Sequence, residues 1–571
     1  MTVAVPAAET LAKPAFRIDL LRPAFYALAA LLAVLVVLPL AWLAYYSVVD
    51  KEGQFTLANF AALVNDPTLR RPYLLAIGMA LGVGVLSAAV ATPLAWLVSR
   101  TDLPGRRVAR ALVTASFVTP PFLGAIAWEI LAAPNSGLIN VFWRYVAGGQ
   151  PYDAPLVNIY SFGGLVFAIS CYTFPYVFTL VANGLDRVPS DLEDASSILG
   201  ARAWTTLRRV TFPLVLPAVL AGTLIAILQA LTMFGSPAIL ALPAGFHVIT
   251  TKIWSLFQFP PKPGLAAAAA LPLLLITVLL LQGKSWILGR KGYTVLGGKS
   301  GSPRITYLGK WMPLGVLFAL AVLSLTVLLP YAALLKTAVT KHGVEGLTLA
   351  NFHFVFFEFS ATQLAMKNTF LLGFATATLG TGIALVCAYM VSRSPVRGSA
   401  LLGMLATAPV AIPGIVLGVG LFLTYSHPQL MLYGTLWILL IAFLTIEMPA
   451  GYQQMSAAFH GIHPELEEAS RILGASRLKT LRLITAPLLR TSVIATWCFV
   501  FIGTIRELSA TILLTTANTK LVSVIIYDLN ESGDMGAISV LGLMLLLVSF
   551  TVVIIANRLP LLGGPRLPAL R

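Results

Sequence analysis

Four charged side chains stand in stretches of sequence that are otherwise apolar. They are Glu129, Glu447 and the adjacent pair Arg506 and Glu507 in "GTIRELSATILL". A charge at the middle of a bilayer costs on the order of 3 kcal/mol, so such a group usually faces a cavity, a counter-charge or a polar cargo. We therefore expect these residues to be candidates for the path of a polar solute. A structural ion-pair network is the competing interpretation for the adjacent pair.

Sequence motifs for covalent or metal chemistry are missing. The six histidines form no HExxH pattern, and no GxSxG motif marks a nucleophile. In "GYTVLGGKS", Tyr293 occupies the place of the first Walker A glycine. Cys171, Cys387 and Cys498 have no CxxC spacing and are expected to be small buried hydrophobes. We expect no catalysis and no cofactor bound by this chain.

The composition places these residues in a membrane. Apolar residues make up 58% of the chain and charged residues 11%, against about 25% charged in soluble domains. Runs of about 20 apolar residues span a bilayer, and they must be helical because lipid offers no partners to the backbone. The sequence predicts an all-α polytopic protein with about twelve spans: 25–48, 73–99, 109–132, 160–184, 214–242, 264–288, 310–336, 367–392, 399–424, 430–455, 488–515 and 536–557. The first run is too long for a signal peptide, so we expect it to be retained.

The basic residues predict an orientation in the membrane. The formal net charge is +16, and clusters near 13–22, 100–110, 284–310 and 393–397 fall on one side together with both termini. The positive-inside rule makes that side cytoplasmic. A basic cytoplasmic face accounts for the charge, so we expect no nucleic-acid partner. The chain is therefore predicted to be a multi-pass membrane protein with both termini in the cytoplasm.

Internal repeats divide the chain into two halves. "TLANF" occurs at Thr56 and again at Thr348, and "LVSR" ending at Arg100 is answered by "MVSR" ending at Arg393. With six spans in each half, the matched loops lie on the same side of the membrane, so the repeats are parallel. The predicted organisation is a tail 1–24, a first domain 25–288, a linker 289–309, a second domain 310–557 and a tail 558–571.

The least apolar segment is also repeated. "LEDASSILGARAWTTLRRVTFP" begins at Leu192, and "LEEASRILGASRLKTLRLITAP" begins at Leu466. Ser190 and Glu193 have capping-box spacing, which predicts a short helix, and Gly200 would let the chain turn into a second one. The predicted loops span 186–213 and 460–487. Amphipathic helices lying on the membrane surface are an alternative that explains the charge but not the repeated small residues.

These loops resemble those of a known family. A Glu-Ala-Ala-like signature, a following glycine and a hydrophobic-x-x-Pro ending are similar to the cytoplasmic loop of permease subunits in bacterial binding-protein-dependent ABC importers of the type I fold. The resemblance covers nearly the whole chain, as a fused form with both permease domains in one polypeptide. Asp194 and Glu468 stand where the pattern often has alanine. The positions that the resemblance assigns to ATPase coupling are Glu193, Asp194, Ala195, Gly200, Glu467, Glu468, Ala469 and Gly474.

The resemblance also implies a location in the bacterial inner membrane, partners and a cargo. Each loop would dock on one of two copies of a separate ABC ATPase, which uses ATP and Mg, and a periplasmic binding protein would deliver the substrate. The stretch "RELSATILL" is most similar to ferric-iron importers, whose relatives carry thiamine, polyamines, sulfate or 2-aminoethylphosphonate. No iron ligand set is visible in the chain.

The matching stretch of the first half is "TMFGSPAIL", in which we expect Met233 and Phe234 to replace the charges of Arg506 and Glu507. The two halves are therefore expected to differ in the pore. An ion-coupled secondary transporter would also have internal repeats but would not need these paired loops. A membrane-embedded enzyme would need polar catalytic groups at one membrane depth, which the sparse charges do not provide.

Overall fold

The structure is a computed structural model that describes residues 21–50, 52–150, 153–289, 305–341, 345–393, 396 and 398–563. The described part is helical, with isolated bridges at Val49–Phe55 and Thr101–Thr306 but no named strand. Most of the predicted linker, the Walker-like segment, most of the N-terminal tail and the last eight residues lie outside the described residues.

The helices of the first half follow one another with short connections. A π-helical turn, Leu207–Thr211, joins α9 to α10. The helices are α1 (Leu21–Ser47), α2 (Ala58–Asn65), α3 (Pro67–Arg100), α4 (Arg106–Val118), α5 (Pro121–Ala132), α6 (Leu138–Ala147), α7 (Phe162–Asp186), α8 (Ser190–Ile198), α9 (Ala203–Thr206), α10 (Phe212–Thr232), α11 (Gly235–Leu240), α12 (Ile249–Ser255) and α13 (Pro263–Gly289).

The second half follows a similar order from α14 onward, without a described counterpart of α6. Its helices are α14 (Met312–Leu323), α15 (Leu329–Ala338), α16 (Ala350–His353), α17 (Ser360–Arg393), α18 (Ala400–Thr407), α19 (Gly414–Tyr425), α20 (Leu436–His460), α21 (Glu465–Ile472), α22 (Arg477–Thr480), α23 (Ala486–Ile505), α24 (Thr511–Leu514), α25 (Val522–Ser532) and α26 (Met535–Gly563). Short 3-10 or π-helical segments adjoin several of them, namely Gly309–Trp311, Ser324–Leu328, Phe354–Glu358, Ala408–Ala411 and Leu481–Thr485.

Twelve membrane spans are confirmed if two bent helix pairs each count as one. Ten helices are long and apolar enough to cross a membrane. The third span is α4 plus α5, bent by 102°, and the ninth is Ala400–Ala411 plus α19, bent by 107°. The bends follow from prolines at the breaks, since proline lacks the N–H that would continue the helix. Pro120 and Pro121 stand at the first break and Pro413 at the second.

Two predicted spans end earlier than the sequence suggested. The fifth, predicted over 214–242, ends at Thr232, and the eleventh, predicted over 488–515, ends at Ile505. The prediction was wrong because "TMFGSPAIL" and "RELSATILL" are apolar enough to extend a run. In the structure Met233 is extended, and each stretch forms a separate short helix, α11 or α24.

The repeated "TLANF" motif closes an equivalent turn in each half. The Asn59 side chain donates to the carbonyl of Ser47 at 3.2 Å, and Asn351 donates to that of Ala338 at 3.0 Å. These carbonyls belong to the ends of α1 and α15, where helical partners are missing. A glycine of a later helix lies close to each asparagine side chain. Gly264 of α13 lies against Asn59, and Gly536 of α26 lies against Asn351. The motif therefore fixes how the first span of each half leads into the next.

The first span of each half packs against the other half. Helix α1 contacts α18 and α19 of the second half as well as α13 of its own, while α15 contacts α5 of the first half and α26. The two halves are thus interleaved and share a large apolar core with members from α1 to α26, beside a second apolar core around α3, α7 and α10.

Candidate functional site

The repeated loops form short helices that end in a tight left-handed turn. Gly200 has φ +82° and Gly474 has φ +86°, values that glycine adopts without strain. The N–H of Gly200 donates to Ser197 at 2.9 Å, and that of Ala201 donates to Ser196 at 3.0 Å. Both bonds occupy carbonyls at the end of α8, as in a Schellman turn. The predicted glycine turn is confirmed in both copies.

The Glu193 carboxylate is buried and anchors α8 to the end of α3. Its Oε2 lies 3.3 Å from Nη1 of Arg100, and its Oε1 accepts the hydroxyl proton of Thr211 at 2.7 Å. Arg100 is 1% exposed and also donates to the carbonyls of Leu185 and of Val188. Further hydrogen bonds stabilise a buried pair. Here they engage both carboxylate oxygens of Glu193 and both terminal nitrogens of Arg100, while Nε of Arg100 has no hydrogen-bond partner among the described residues.

The second copy repeats this anchor. Nε of Arg393 lies 3.1 Å from Oε1 of Glu467, which also accepts the hydroxyl of Thr485 at 3.0 Å. The Arg393 guanidinium reaches the carbonyl of Ile462 at 3.2 Å. Each loop is therefore held to the arginine that ends the repeated "VSR" motif, a partner that the sequence analysis used only as a repeat landmark.

The predicted capping box is wrong. Helix α8 begins with Pro189 as its N-cap residue, and no side chain bonds there. Glu193 instead turns to Arg100 and Thr211, because a carboxylate enclosed with a guanidinium gains more than one that caps an exposed helix start. The predicted second helix of the loop is present from Ala203, but it is not separate from the next span, since the chain from Trp204 continues without a break to Thr232.

Each loop exposes an apolar Ile-Leu pair that is identical in the two copies. Ile198 and Leu199 are 86% and 87% exposed, and Ile472 and Leu473 are 85% and 87% exposed. The remaining coupling candidates are exposed as well, namely Asp194, Ala195, Gly200, Glu468, Ala469 and Gly474. Sequence reasoning did not single out the Ile-Leu pairs, although "ILGA" occurring in both loops was the signal that could have found them.

A cavity of about 360 Å³ lies between the halves, lined from both sides. The broken span α4–α5 and helices α7 and α10 contribute Phe117, Tyr176 and Met233, and the second half contributes Arg506 and Glu507. The structure thus places the predicted pair on the wall of an internal cavity.

Arg506 and Glu507 contact different partners. Arg506 crosses to the first half, where its Nη1 donates to the carbonyl of Phe117 at 3.1 Å and its guanidinium lies 5.9 Å from the centre of that ring. Glu507 accepts the N–H of Ala510 at 3.1 Å through Oε1. Within the described part of the chain, no ion pair joins the two side chains. The contact across the halves is therefore a guanidinium–carbonyl bond.

Glu447 lies just behind this pair. The carboxylate packs against Gly503, where an added Cβ would come within 2.2 Å of Oε1. It is close enough to Arg506 and Glu507 to interact with both electrostatically. Three of the four predicted charges therefore form one group at the end of α23.

Glu129 lies apart from that group. It is buried near the end of α5, where its Oε1 accepts the Tyr160 hydroxyl at 2.6 Å and its Oε2 accepts the Asn530 amide at 2.8 Å. Asn530 belongs to the second half. The carboxylate therefore bridges the two halves through neutral donors.

The structure shifts the expected correspondence between the halves by one residue. The carbonyl of Met233 accepts the hydroxyl of Thr250 at 2.8 Å, and the carbonyl of Glu507 accepts that of Ser523 at the same distance. Met233 is thus the counterpart of Glu507, and Thr232 that of Arg506. Phe234, expected to replace one of the charges, is fully buried. Counting along the chain from the repeated loops, which begin at Leu192 and Leu466, gives the same register, so the sequence contained the signal.

No group of three or more His, Cys, Asp or Glu side chains is arranged to hold a metal ion in the part of the chain that the structure describes. Cys171, Cys387 and Cys498 are buried and unpaired by disulfides, as expected. The charged cavity wall and the two exposed loops are accordingly the candidate sites in the described part of the chain.

The sequence pattern of the family described as "Binding-protein-dependent transport system inner membrane component" matches residues 80–288 and again residues 380–560. The chain belongs to this family. It is a multi-pass inner-membrane permease of the ABC importer class, and the family's dependence on binding proteins implies an ATPase and a periplasmic binding protein as partners. The double match confirms two permease domains in one polypeptide.

Three relatives show how far the similarity extends. A ferric transport system permease protein of Actinobacillus pleuropneumoniae is 25% identical over 85% of this chain and 70% of that protein. An Fe(3+)-transport system permease protein of Haemophilus influenzae is 24% identical over 92% of this chain and 97% of that protein. A molybdenum transport system permease protein of Mycobacterium tuberculosis is 28% identical over 39% of this chain and 82% of that protein.

Proposed function

We propose that this permease carries ferric iron, delivered by a periplasmic binding protein, across the inner membrane. The observation that carries the proposal is similarity along nearly the full length to an Fe(3+)-transport permease, 92% of this chain against 97% of that one. The molybdenum permease, by contrast, covers less than half of the chain. The fused architecture is thus shared with ferric permeases.

We propose further that each repeated loop docks on one copy of the same ATPase. Two identical, strongly exposed "ILGA" turns, at Ile198 and Ile472, suit two identical grooves. Exposed apolar clusters of this kind mark protein interaction sites. The buried anchors at Glu193 and Glu467 would make each loop move with the ends of α3 and α17. Neither ATP nor Mg would be bound by this chain, and this chain would not be catalytic.

We propose an alternating-access cycle for this permease. With both termini and both loops cytoplasmic, ATP-driven closure of the ATPase dimer would push the two anchors together and open the path outward to a docked binding protein. Hydrolysis would return it inward. The charged group around Arg506, Glu507 and Glu447 would line the path of the cargo, while Glu129 would hold the halves together on the far side.

Uptake by proteoliposomes tests the cargo. The chain is reconstituted with its cognate ATPase and binding protein, and accumulation of radiolabelled ferric iron is compared with that of thiamine, a polyamine, sulfate and 2-aminoethylphosphonate. We expect ATP-dependent accumulation of iron alone. Accumulation of one of the others instead would refute iron while retaining the importer, and uptake driven by an ion gradient without ATP would refute both.

A further inference from the structure

Helix α6 buries its polar residues and exposes its apolar ones, which is the reverse of an amphipathic helix on a soluble protein. Its polar residues Asn140 and Arg144 are buried, whereas Phe142 and Tyr145 are 68% and 85% exposed. The connection between α19 and α20 in the second half spans only residues 426–435 and contains no helix. In the described part of the chain, a helix at this position is therefore present in the first half alone.

The two polar residues attach α6 to the end of a membrane span. The Asn140 amide donates to the carbonyl of Ala133 at 2.9 Å and accepts the N–H of Val157 at 3.0 Å. Arg144 donates to the carbonyl of Pro134 at 3.1 Å and to that of Asn135. These carbonyls directly follow α5, where a helix end leaves acceptors unsatisfied. Helix α6 is thus held at the end of α5, which is also the end of the third candidate span.

The outer face of α6 carries large apolar and aromatic residues and no charge. Val141, Phe142, Tyr145 and Val146 share one side at helical spacing, and Trp143 lies beside them with 44% of its surface exposed. The one charged residue of the helix, Arg144, faces inward and is fully engaged.

We propose that this outer face lies in the boundary between headgroups and acyl chains of the leaflet opposite the repeated loops, and that it binds lipid there. Tryptophan and tyrosine are enriched at this depth because their rings are apolar and their N–H or O–H groups reach water. A short helix lying in the interface buries its apolar side in the same region. Attachment to the end of α5 sets α6 at that depth.

A soluble protein partner fits this face less well. A binding protein that docks and leaves in every cycle needs a surface that is stable in water when free, and transient interfaces are about as polar as the rest of the surface. Five neighbouring large side chains without a charge would be left in water between encounters. Lipid covers the face at all times.

Spin labelling in lipid nanodiscs tests the assignment. Tyr145→Cys and, as a second site, Phe142→Cys receive a nitroxide, and collisions with oxygen are compared with those of a water-soluble nickel chelate. Because the native cysteines are buried, unsubstituted protein serves as the labelling blank. Val85→Cys, on the exposed side of α3, gives the lipid reference, and Gln150→Cys gives the water reference.

We expect the labels at both α6 sites to collide more with oxygen than with the nickel chelate, as at Val85. A ratio that matches Gln150 would overturn the proposal, because the face would then be in water. Shielding from both reagents would also overturn it, in favour of a bound protein. Since the readout needs no transport, it stands apart from the identity of the cargo.

Discussion

At the scale of single residues, the most consequential contact is the buried pair that holds each repeated loop. Arg100 and Glu193 are almost completely enclosed, and their counterparts Arg393 and Glu467 are slightly more open, with 13% and 11% of their side chains exposed. A buried ion without its partner is strongly destabilising. The repeated arginine therefore sets the position of the loop as firmly as the loop's own sequence.

Substitution of Arg100 tests this role. Arg100→Ala leaves Glu193 buried without its counter-ion, which in proteins generally costs about 3–5 kcal/mol. We expect a lower thermal unfolding midpoint in nanodiscs, with a smaller decrease for Arg393→Ala because that pair is more exposed. Arg107→Ala, at an exposed site, is the matched control. Equal midpoints for Arg100→Ala and the control would show that the pair does not anchor the loop.

Glu507 combines two roles that different substitutions separate. Glu507→Gln keeps an acceptor for the N–H of Ala510 but removes the charge on the cavity wall. If the charge acts on the cargo, uptake falls by about tenfold, equivalent to about 1.4 kcal/mol, with unchanged thermal stability. Glu507→Ala should lower uptake as well and also lower the unfolding midpoint. Neither variant should release the ATPase. Normal uptake by Glu507→Gln would assign the carboxylate a capping role alone.

Much of the residue-level site could be predicted. The glycine turns and the charges near the cavity follow from spacing and from the cost of charge in lipid. The partner of Glu193 could not be predicted, because Arg100 is 93 residues away and only tertiary packing brings them together. The capping-box prediction was wrong for the same reason, because Glu193 bonds to the distant Arg100 instead.

At the scale of elements, the two broken spans are each bound at the bend by the other half. The carbonyl of Phe117 accepts Arg506, and the carbonyl of Ala411 accepts the hydroxyl of Thr277 at 2.6 Å. Backbone groups freed at a break within the membrane need such partners. The bends are therefore part of the contact between halves, and any rearrangement of the halves must exchange these bonds.

The substitution Thr277→Val removes one of the hydrogen bonds that join a bend to the other half. The substitution keeps the side-chain shape but removes the donor to Ala411, and an unsatisfied buried acceptor costs about 1–3 kcal/mol. We expect a lower unfolding midpoint than for Thr223→Val, whose hydroxyl bonds only within its own helix, to Val219. Indistinguishable midpoints would indicate that the bend is held by packing alone.

The bends show what a hydropathy pattern omits. The spans 109–132 and 399–424 were predicted with nearly correct limits, but apolar content does not report a change of direction. The prolines at 120, 121 and 413 were the available signal. The premature ends of α10 and α23 were hidden because the residues that follow are themselves apolar.

At the scale of the whole molecule, the two halves are alike on one side of the membrane and differ on the other. The loop side is closely symmetric, with the same anchor and the same exposed tetrapeptide in both halves. The cavity wall and the far side are not, since the first half has Met233 where the second half has Glu507, and α6 occurs once in the described chain. The repeats in the sequence predicted the symmetry, while the position of α6 depended on inward polar contacts that the sequence does not reveal.

The affinity of the purified ATPase for this chain in nanodiscs tests the central claim most directly. Leu199→Asp and Leu473→Asp each place a charge on one exposed loop, and Leu347→Asp, on the opposite side and 82% exposed, is the matched control. A lost interface anchor of about 2 kcal/mol weakens binding about thirtyfold. We predict that loss for both loop variants, to the same extent, and none for the control. Binding by both loop variants at the unsubstituted affinity would contradict the account.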